Sequence, residues 1–333
     1  DFAIGHVLFS AATCLLMLFP QGSSATYNSS APLRRLTLRS LDYVDISAQI
    51  TVDQKFGQPS SVGDLAVFPP FAADGIGLFN TTILTFSMVN LRSKVTTSGN
   101  NPAMFFASAA IGNTVVLTSA ELNPPVMGIF DVVTHAFSTI DISAHVVQVG
   151  AFGGGEAVGD DLVVFFPLAD FKILMYNVTS QAVDFVDVAA SGLSSNAPTY
   201  VQKYYEAGLV GTKLVMPPFD ANGVGIFDVS TRTFTLKDIS ASLDSGFRPF
   251  YGAAAVGDEV IFSPYCAGGV GVYNVVTDTF TLVDIKFVIH MCNKFYGATT
   301  TSSSPGLVFF AQDQASGIGV FDAYRRQFSM LDM

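Results

Sequence analysis

The sequence predicts an all-β fold, a single β-propeller built from four-stranded blades, and three observations support this prediction. Only 13% of the 333 residues are charged, and the composition is rich in Gly, Val, Phe, Thr and Ser, which is typical of strands and turns. No stretch shows a sustained helical period with capping residues. A pattern of about 48 residues recurs along the chain, and repeats of that length indicate a propeller or a related array.

The centre of the repeat is a glycine, an apolar residue, a second glycine, an apolar residue, an aromatic and then Asp or Asn. Its clearest copies are Gly223–Asp228, Gly269–Asn274 and Gly317–Asp322. A hairpin precedes each copy, with a turn such as Gly257-Asp258, because glycine beside Asp or Asn supplies the positive φ angles of a two-residue turn. A Thr-containing turn and a closing strand follow. Each unit therefore predicts four strands, which is one propeller blade.

The repeat predicts seven blades in one domain that spans residues 1–333. Phe19-Pro20 lies 49 residues before Phe68-Pro69, in register with the ends of later second strands, which favours a blade at the N-terminus. The alternative is six blades that follow an N-terminal signal or membrane segment, because residues 2–19 are apolar and nearly uncharged. The approximate predicted blades are 1–47, 48–94, 95–144, 145–190, 191–240, 241–287 and 288–333.

One part of the repeat resembles a known family. The stretch from Val272 to Phe280 resembles the later half of a kelch repeat, in which an aromatic, an Asp and a Thr-containing turn precede a Trp. It departs from that pattern because Phe replaces Trp and no Gly-Gly doublet follows the second strand. The resemblance implies a kelch-like propeller. Such propellers mostly bind other proteins, and a minority are enzymes.

Charge and cysteine content restrict the classes of partner and cofactor. The chain has 16 Lys and Arg against 27 Asp and Glu, a net charge of −11, so we expect no nucleic-acid partner. Three cysteines at long spacings predict neither a zinc site nor a disulfide framework, although a single bond between Cys266 and Cys292 stays open. We expect no metal and no cofactor.

An aromatic residue stands seven positions before most hairpin glycines, and several copies have a basic residue just before it. The first strand of a propeller blade lines the central channel, so these pairs predict a channel mouth that binds an anionic ligand, a glycan or an acidic loop. Some of the aromatics begin a doublet, as in Tyr204-Tyr205. The alternative is that the aromatics pack between blades while the lysine heads reach water. The candidate residues are Lys55, Phe56, Phe105, Phe152, Lys203, Tyr204, Arg248, Phe250, Lys294 and Phe295.

Three sequons predict N-glycosylation at Asn28, Asn80 and Asn177. Each Asn also follows a strand-three aromatic, where other blades carry Asp, so the alternative is that the residue starts a turn through side-chain hydrogen bonds. Sequons and a low pI of about 4.6 favour the secretory pathway, the extracellular space or an organelle lumen. Membrane association is expected only if residues 1–20 form a helix.

The sequence favours the hypothesis of a non-catalytic scaffold that binds protein partners. In one form of this hypothesis, the scaffold is a subunit of a larger assembly. One alternative is a propeller that binds a small anionic ligand or glycan at the Lys/Arg–aromatic mouth. A second alternative is an enzyme, such as a hydrolase, lyase or isomerase, at the same mouth. Motifs of catalytic serine, zinc-protease or phosphate-loop type are absent from the sequence, so no catalytic residue is predicted.

Overall fold

The computed structural model describes residues 45–47, 50–95, 103–146, 148–194, 202–244, 246–301 and 304–332. These residues form six four-stranded sheets, each built from strands that follow one another along the chain. The chain is therefore a single all-β propeller, as the repeat predicts. The structure corrects the predicted blade count, because the described residues form six blades, the alternative from sequence, and not seven. The predicted blade at 1–47 lies outside the described residues except for 45–47.

All neighbouring strands within a blade pair antiparallel, and the blades are numbered 1 to 6 in chain order. Blade 1 contains β1 (Ser60–Val62), β2 (Leu65–Phe68), β3 (Gly75–Asn80) and β4 (Thr85–Asn90). Blade 2 contains β5 (Phe105–Ile111), β6 (Thr114–Ser119), β7 (Val126–Asp131) and β8 (Phe137–Asp141). Blade 3 contains β9 (Phe152–Val158), β10 (Leu162–Pro167), β11 (Lys172–Asn177) and β12 (Val183–Asp187). Blade 4 contains β13 (Gly208–Val210), β14 (Lys213–Met216), β15 (Val224–Asp228) and β16 (Thr233–Lys237). Blade 5 contains β17 (Phe250–Val256), β18 (Glu259–Pro264), β19 (Gly269–Asn274) and β20 (Thr279–Asp284). Blade 6 contains β21 (Phe295–Thr300), β22 (Leu307–Gln312), β23 (Gly317–Asp322) and β24 (Gln327–Asp332). Short 3₁₀ turns at Ala189–Ser191 and Ser240–Ser242 follow β12 and β16.

The Gly-x-Gly motif of the third strand makes room for an aromatic ring of the first strand in the same blade. In blade 5 a Cβ added at Gly271 would lie 2.9 Å from Phe250 Cζ, which is closer than side chains pack. The Phe250 ring also lies 6.0 Å from the ring of Phe280 on the fourth strand. One ring thus joins the first, third and fourth strands over a glycine, and this explains why the aromatic and the glycine recur together.

Apolar clusters join each blade to the next along the chain. One cluster combines Val67 and Ile76 of blade 1 with Phe105 and Val115 of blade 2. Equivalent clusters join blades 2 and 3, 3 and 4, 4 and 5, and 5 and 6. Because a single four-stranded sheet cannot bury both of its faces, this packing between blades is what holds the repeat units together.

The Asp or Asn that follows the strand-three aromatic starts a turn, as in the alternative that the sequence left open. Asn80 Oδ1 accepts hydrogen bonds from Thr82 N at 2.9 Å and Ile83 N at 3.0 Å. Asn177 makes the corresponding bonds with its Oδ1, and Asp131 of blade 2 does the same. Asn28 lies outside the described residues. Glycosylation at the three positions stays a prediction.

Candidate functional site

The first strands of blades 2 to 6, together with residues 56–59 just before β1, line a central channel with a cavity of about 730 Å³. Two acidic residues, Glu156 on β9 and Glu206 just before β13, lie in its wall together with the amide side chain of Gln58. Elsewhere this part of the first strand carries mainly glycine and alanine. The channel wall therefore consists mainly of small residues, with a few long polar side chains among them. A concave site with a few placed polar groups is typical of a ligand-binding site.

The carboxylate of Glu206 connects blade 4 to three other blades. Its Oε1 accepts a hydrogen bond from Gln58 Nε2 of blade 1 at 3.0 Å. Its Oε2 accepts from Ala253 N of blade 5 at 3.1 Å and from Ala298 N of blade 6 at 3.4 Å. A hydrogen-bonded carboxylate is held in one orientation, so Glu206 is a fixed feature of the channel.

Glycines clear the space that Glu206 and Gln58 occupy. A Cβ added at Gly252 would overlap Glu206 Oε2, and one at Gly297 would lie 3.2 Å from Glu206 Oε1. A Cβ at Gly154 would lie 2.8 Å from Gln58 Oε1. The small residues of the first strands are thus matched to two long polar side chains, which shows that the polar groups are an integral part of the packing.

Burial changes the acidity of both glutamates. Each side chain is partly exposed to the channel itself, while protein surrounds it on the other sides. Desolvation, together with the neighbouring charge of Glu206, raises the pKa of Glu156 to about 7. Desolvation also raises the pKa of Glu206 to about 7, although the hydrogen bonds from Ala253, Ala298 and Gln58 oppose the change. Both carboxyls therefore titrate near neutral pH.

Packed aromatic rings surround the opening of the channel at the start of the first strands. This tyrosine mouth consists of Tyr205, Phe219, Tyr251, Tyr265 and Tyr296. The Tyr205 and Tyr251 rings are stacked with centroids 4.1 Å apart, and Tyr251 meets Tyr296 edge-on at 4.7 Å. Phe219 and Tyr265, which follow second strands, lie 5.2 Å apart on the same side. The mouth thus lines the channel entrance with aromatic side chains and phenol groups.

An ion pair and a further acidic residue accompany the tyrosine mouth. Arg248 Nε donates to Asp220 Oδ1 at 3.0 Å, and its guanidinium lies 4.8 Å from the centre of the Phe219 ring. Burial raises the pKa of Asp313, a residue that follows β22, while a hydrogen bond from Tyr265 opposes this change. A disulfide between Cys266 and Cys292, the pairing left open by the sequence, joins two loops beside the mouth.

Most candidate aromatics of the sequence analysis lie inside the blades. Phe105, Phe152, Tyr204, Phe250 and Phe295 are almost fully buried, whereas the half-buried Phe56 packs against the Phe68 and Phe86 rings and also lines the channel cavity. In three doublets the second residue, at position 205, 251 or 296, is the one that lines the mouth. Because consecutive residues of a strand point to opposite faces, only one member of each doublet can face the channel.

The candidate basic residues also occupy different environments. The buried Lys203 Nζ donates to three backbone carbonyls, those of Leu168, Ala169 and Asp170, at 3.0 to 3.1 Å. Lys294 is equally buried and donates to Met291 O. Lys55 is half-buried, and its own carbonyl accepts from the amides of residues 71 and 73. Of the four, Arg248 is the one that lines the channel.

The glutamates escaped the sequence analysis. Their one visible signal is an acidic residue within or just before a first strand that otherwise carries mainly small and apolar residues, as in Gly155-Glu156-Ala157 and Tyr205-Glu206-Ala207. The repeat alone does not show which positions face the channel. No histidine lines the channel among the residues that the structure describes. Nor does that part of the chain hold three or more His, Cys, Asp or Glu placed to bind a metal ion together.

The comparisons with known proteins identify the fold class. No protein-family model and no curated protein matches the chain. Solved structures do match. They include a catalytically inactive virginiamycin B lyase from Staphylococcus aureus with quinupristin, at a TM-score of 0.61 and 13% identity, covering 84% of this chain and 86% of that one. YCF48 bound to D1 peptide matches at 0.56 and 10% identity, covering 83% and 81%.

The WD40 repeats of RRP9 match at a TM-score of 0.52 and 13% identity, covering 77% of this chain and 72% of that chain. At such low identity these likenesses show a β-propeller of the same general type and no more. They do not extend the kelch resemblance to this chain. In the described part of the chain, no helix has the length and apolar character needed to cross a membrane.

Proposed function

We propose that the chain is a non-catalytic propeller that binds a protein partner through the face that carries the tyrosine mouth. The observation that carries this proposal is a group of exposed apolar side chains in the loops that enter blades 5 and 6. Phe287 is 84% exposed in the loop that enters blade 6, where Val288 and Met291 are also exposed, and Phe247 is 61% exposed in the loop that enters blade 5. Apolar side chains clustered on one face are typical of a protein interface.

The surroundings of these loops support an interface. Phe247 precedes Arg248, whose guanidinium lies 5.2 Å from the Phe247 ring and is paired with Asp220. Met291 precedes Cys292, so the disulfide to Cys266 anchors its loop. Aromatic residues and arginine are enriched at interfaces, and anchored loops lose less conformational freedom on binding.

The test is site-specific photo-crosslinking followed by affinity measurement. A photoreactive phenylalanine analogue at position 287 should capture a partner that mass spectrometry identifies. The same analogue at position 276, on a turn between the third and fourth strands, should not capture it. With the purified partner, Phe287→Ser and Phe247→Ser should each weaken Kd by about tenfold or more. Val276→Ser, which alters another exposed apolar residue (72% exposed), should bind as the wild type does.

Equal crosslinking from positions 276 and 287 would contradict the proposal. So would unchanged affinity in both phenylalanine variants. All three positions are exposed, so the melting temperatures of the variants should match that of the wild type, and a loss of binding will not reflect unfolding.

The enzyme alternative draws support from one observation. Glu156 and Glu206 both titrate near pH 7 inside the channel, and a group with such a pKa can act as a general acid or base. Glu206 also accepts hydrogen bonds from three other blades, so a structural role in joining the blades explains this residue equally well. The scaffold therefore remains the function that we propose first.

A further inference from the structure

We propose that the central channel binds a positively charged nitrogen group, an ammonium or a guanidinium, between Glu156 and Glu206 below the tyrosine mouth. The group belongs either to a small free cation or to a lysine or arginine side chain of a partner. This inference concerns the channel rather than the exposed loops, so it stands without the proposed scaffold function.

The first argument is the charge of the channel wall. Glu156 and Glu206 face the cavity, and Arg248 is the one basic residue in the wall among those that the structure describes. That arginine is already paired with Asp220 through two hydrogen bonds. Lys203 donates to backbone carbonyls instead of the channel carboxyls. A cation in the channel would supply the partner that buried carboxylates otherwise lack.

The second argument is hydrogen-bonding capacity. Glu206 accepts three hydrogen bonds from protein groups, which leaves about one of its four lone-pair positions for a ligand. Glu156 accepts no hydrogen bond from the residues that the structure describes, although it lines the cavity. The site thus contains one fixed carboxylate and one that is available, both of which accept from an N–H donor. An anionic ligand would find no such match here.

The third argument is the path to the site. A cation that enters from the loop side passes Tyr205, Tyr251 and Tyr296, which line the cavity with aromatic rings and phenol oxygens, groups that attract positive charge or accept its hydrogen bonds. The same cluster already holds one cation in this way, because the Arg248 guanidinium lies 4.8 Å from the Phe219 ring centre. Along the first strand Glu156 occupies a position two residues further from the mouth than Glu206, so a ligand reaches the two carboxyls in succession.

Proton release gives the site a measurable signature. The titratable groups that face the two carboxyls are each other and, for Glu206, the Tyr251 phenol. A bound cation favours the ionised carboxylates, so binding near pH 7 should release protons to the buffer. A neutral ligand held by ring stacking alone should release none.

The experiment is isothermal titration calorimetry on the full chain at pH 7 with three probes. Propylguanidine represents a free cation, N-acetyl-arginine amide represents a side chain of a partner, and N-acetyl-citrulline amide is a neutral analogue of similar shape. We expect the cations to bind at least about tenfold more tightly than the citrulline probe, in line with a charge-assisted hydrogen bond. Titrations in buffers of different ionisation enthalpy should show proton release for the cations only.

Two variants locate the site. Glu156→Gln should weaken binding of the cations by about tenfold or more and reduce proton release. Asp160→Asn removes the same charge from an exposed turn at the end of the same strand and should change neither. Tighter binding of the arginine probe would identify a partner's side chain, and tighter binding of propylguanidine would identify a small ligand. The inference is overturned if neither cation binds, if citrulline binds equally well, or if Glu156→Gln binds as the wild type does.

Discussion

The two sides of the channel are held together in different ways. Between blades 3 and 4 the first strands contact each other directly, and Gly154 N donates to Tyr205 O at 2.7 Å. Towards blades 5 and 6, the amides of Ala253 and Ala298 donate instead to the carboxylate of Glu206. One acidic side chain therefore accepts hydrogen bonds from the backbone amides of two blades, whereas a backbone carbonyl accepts the corresponding bond between blades 3 and 4.

A single strand position accounts for much of this difference. Blades 1 and 3 carry Gly57 and Gly153 where blades 4, 5 and 6 carry Tyr205, Tyr251 and Tyr296. A Cβ at either glycine would overlap a backbone oxygen of the next blade, so the strands approach as closely as a main chain allows. Tyrosine at the same position places a ring over the channel. The same repeat thus forms one side that is hydrogen-bonded through its main chain and one side rich in functional groups.

The largest effect is expected where blade 4 is fixed to blade 3. Lys203→Met removes the donor of three carbonyls in the loop after β10 while keeping much of the apolar volume. The loss of these three bonds from a buried ammonium group should lower the free energy of unfolding by about 3 kcal/mol. Urea unfolding measures this, with Lys94→Met as a control on an exposed lysine. A loss equal to that of the control would show that the buried ammonium does not stabilise this contact.

An intermediate effect is expected from a methyl group added to the side that is hydrogen-bonded through its main chain. The Cβ of Gly153→Ala would overlap Tyr204 O, which is backbone and cannot rotate away. The strands must separate, and the free energy of unfolding should fall by about 2 kcal/mol. Gly246→Ala is the control because a Cβ there has no neighbour within 4 Å. If both variants melt alike, the close approach of blades 3 and 4 is not required.

The smallest effect is the pH dependence of stability on the side of the glutamates. Their pKa values of about 7 lie above the unfolded value of 4.5, so the native state binds more protons between these limits. The free energy of unfolding should therefore fall as pH rises from about 5 to about 7, by about 1 kcal/mol, because both carboxyls are partly exposed to water in the channel. Glu156→Gln should flatten this part of the curve, as measured by urea unfolding at each pH. A profile identical to that of the wild type would place the titration in other groups.

Much of the blade could be predicted from residues that repeat. The glycine before Asp258 forms the expected hairpin turn, and Asn80 forms the expected side-chain turn. Such features depend on contacts within a few residues or within one sheet, so each copy carries its own evidence. The count of blades was less secure, because the apolar segment at 2–19 matches both a strand pair and a signal.

The channel could not be predicted in the same way. The aromatic doublets mark the right strand, but the repeat does not say which member faces inward, and Tyr204 is buried while Tyr205 lines the mouth. Lys203 precedes an aromatic, as a mouth residue would, and yet it points to carbonyls of the previous blade. The directions of these side chains depend on contacts with a neighbouring blade, whose residues lie about 50 positions away in the chain.

By itself, the sequence determined the all-β propeller and the four-stranded unit, because period-two alternation, glycine turns and recurring aromatics act within one blade. Only the tertiary structure decided the site. Glu206 becomes a bridge because Gln58, Ala253 and Ala298 arrive from three other blades. The pKa values of both glutamates are raised because the blades that pack around the channel remove most of the water from these side chains. Desolvation and contact between distant strands are properties of the assembled ring, and no local pattern contains them.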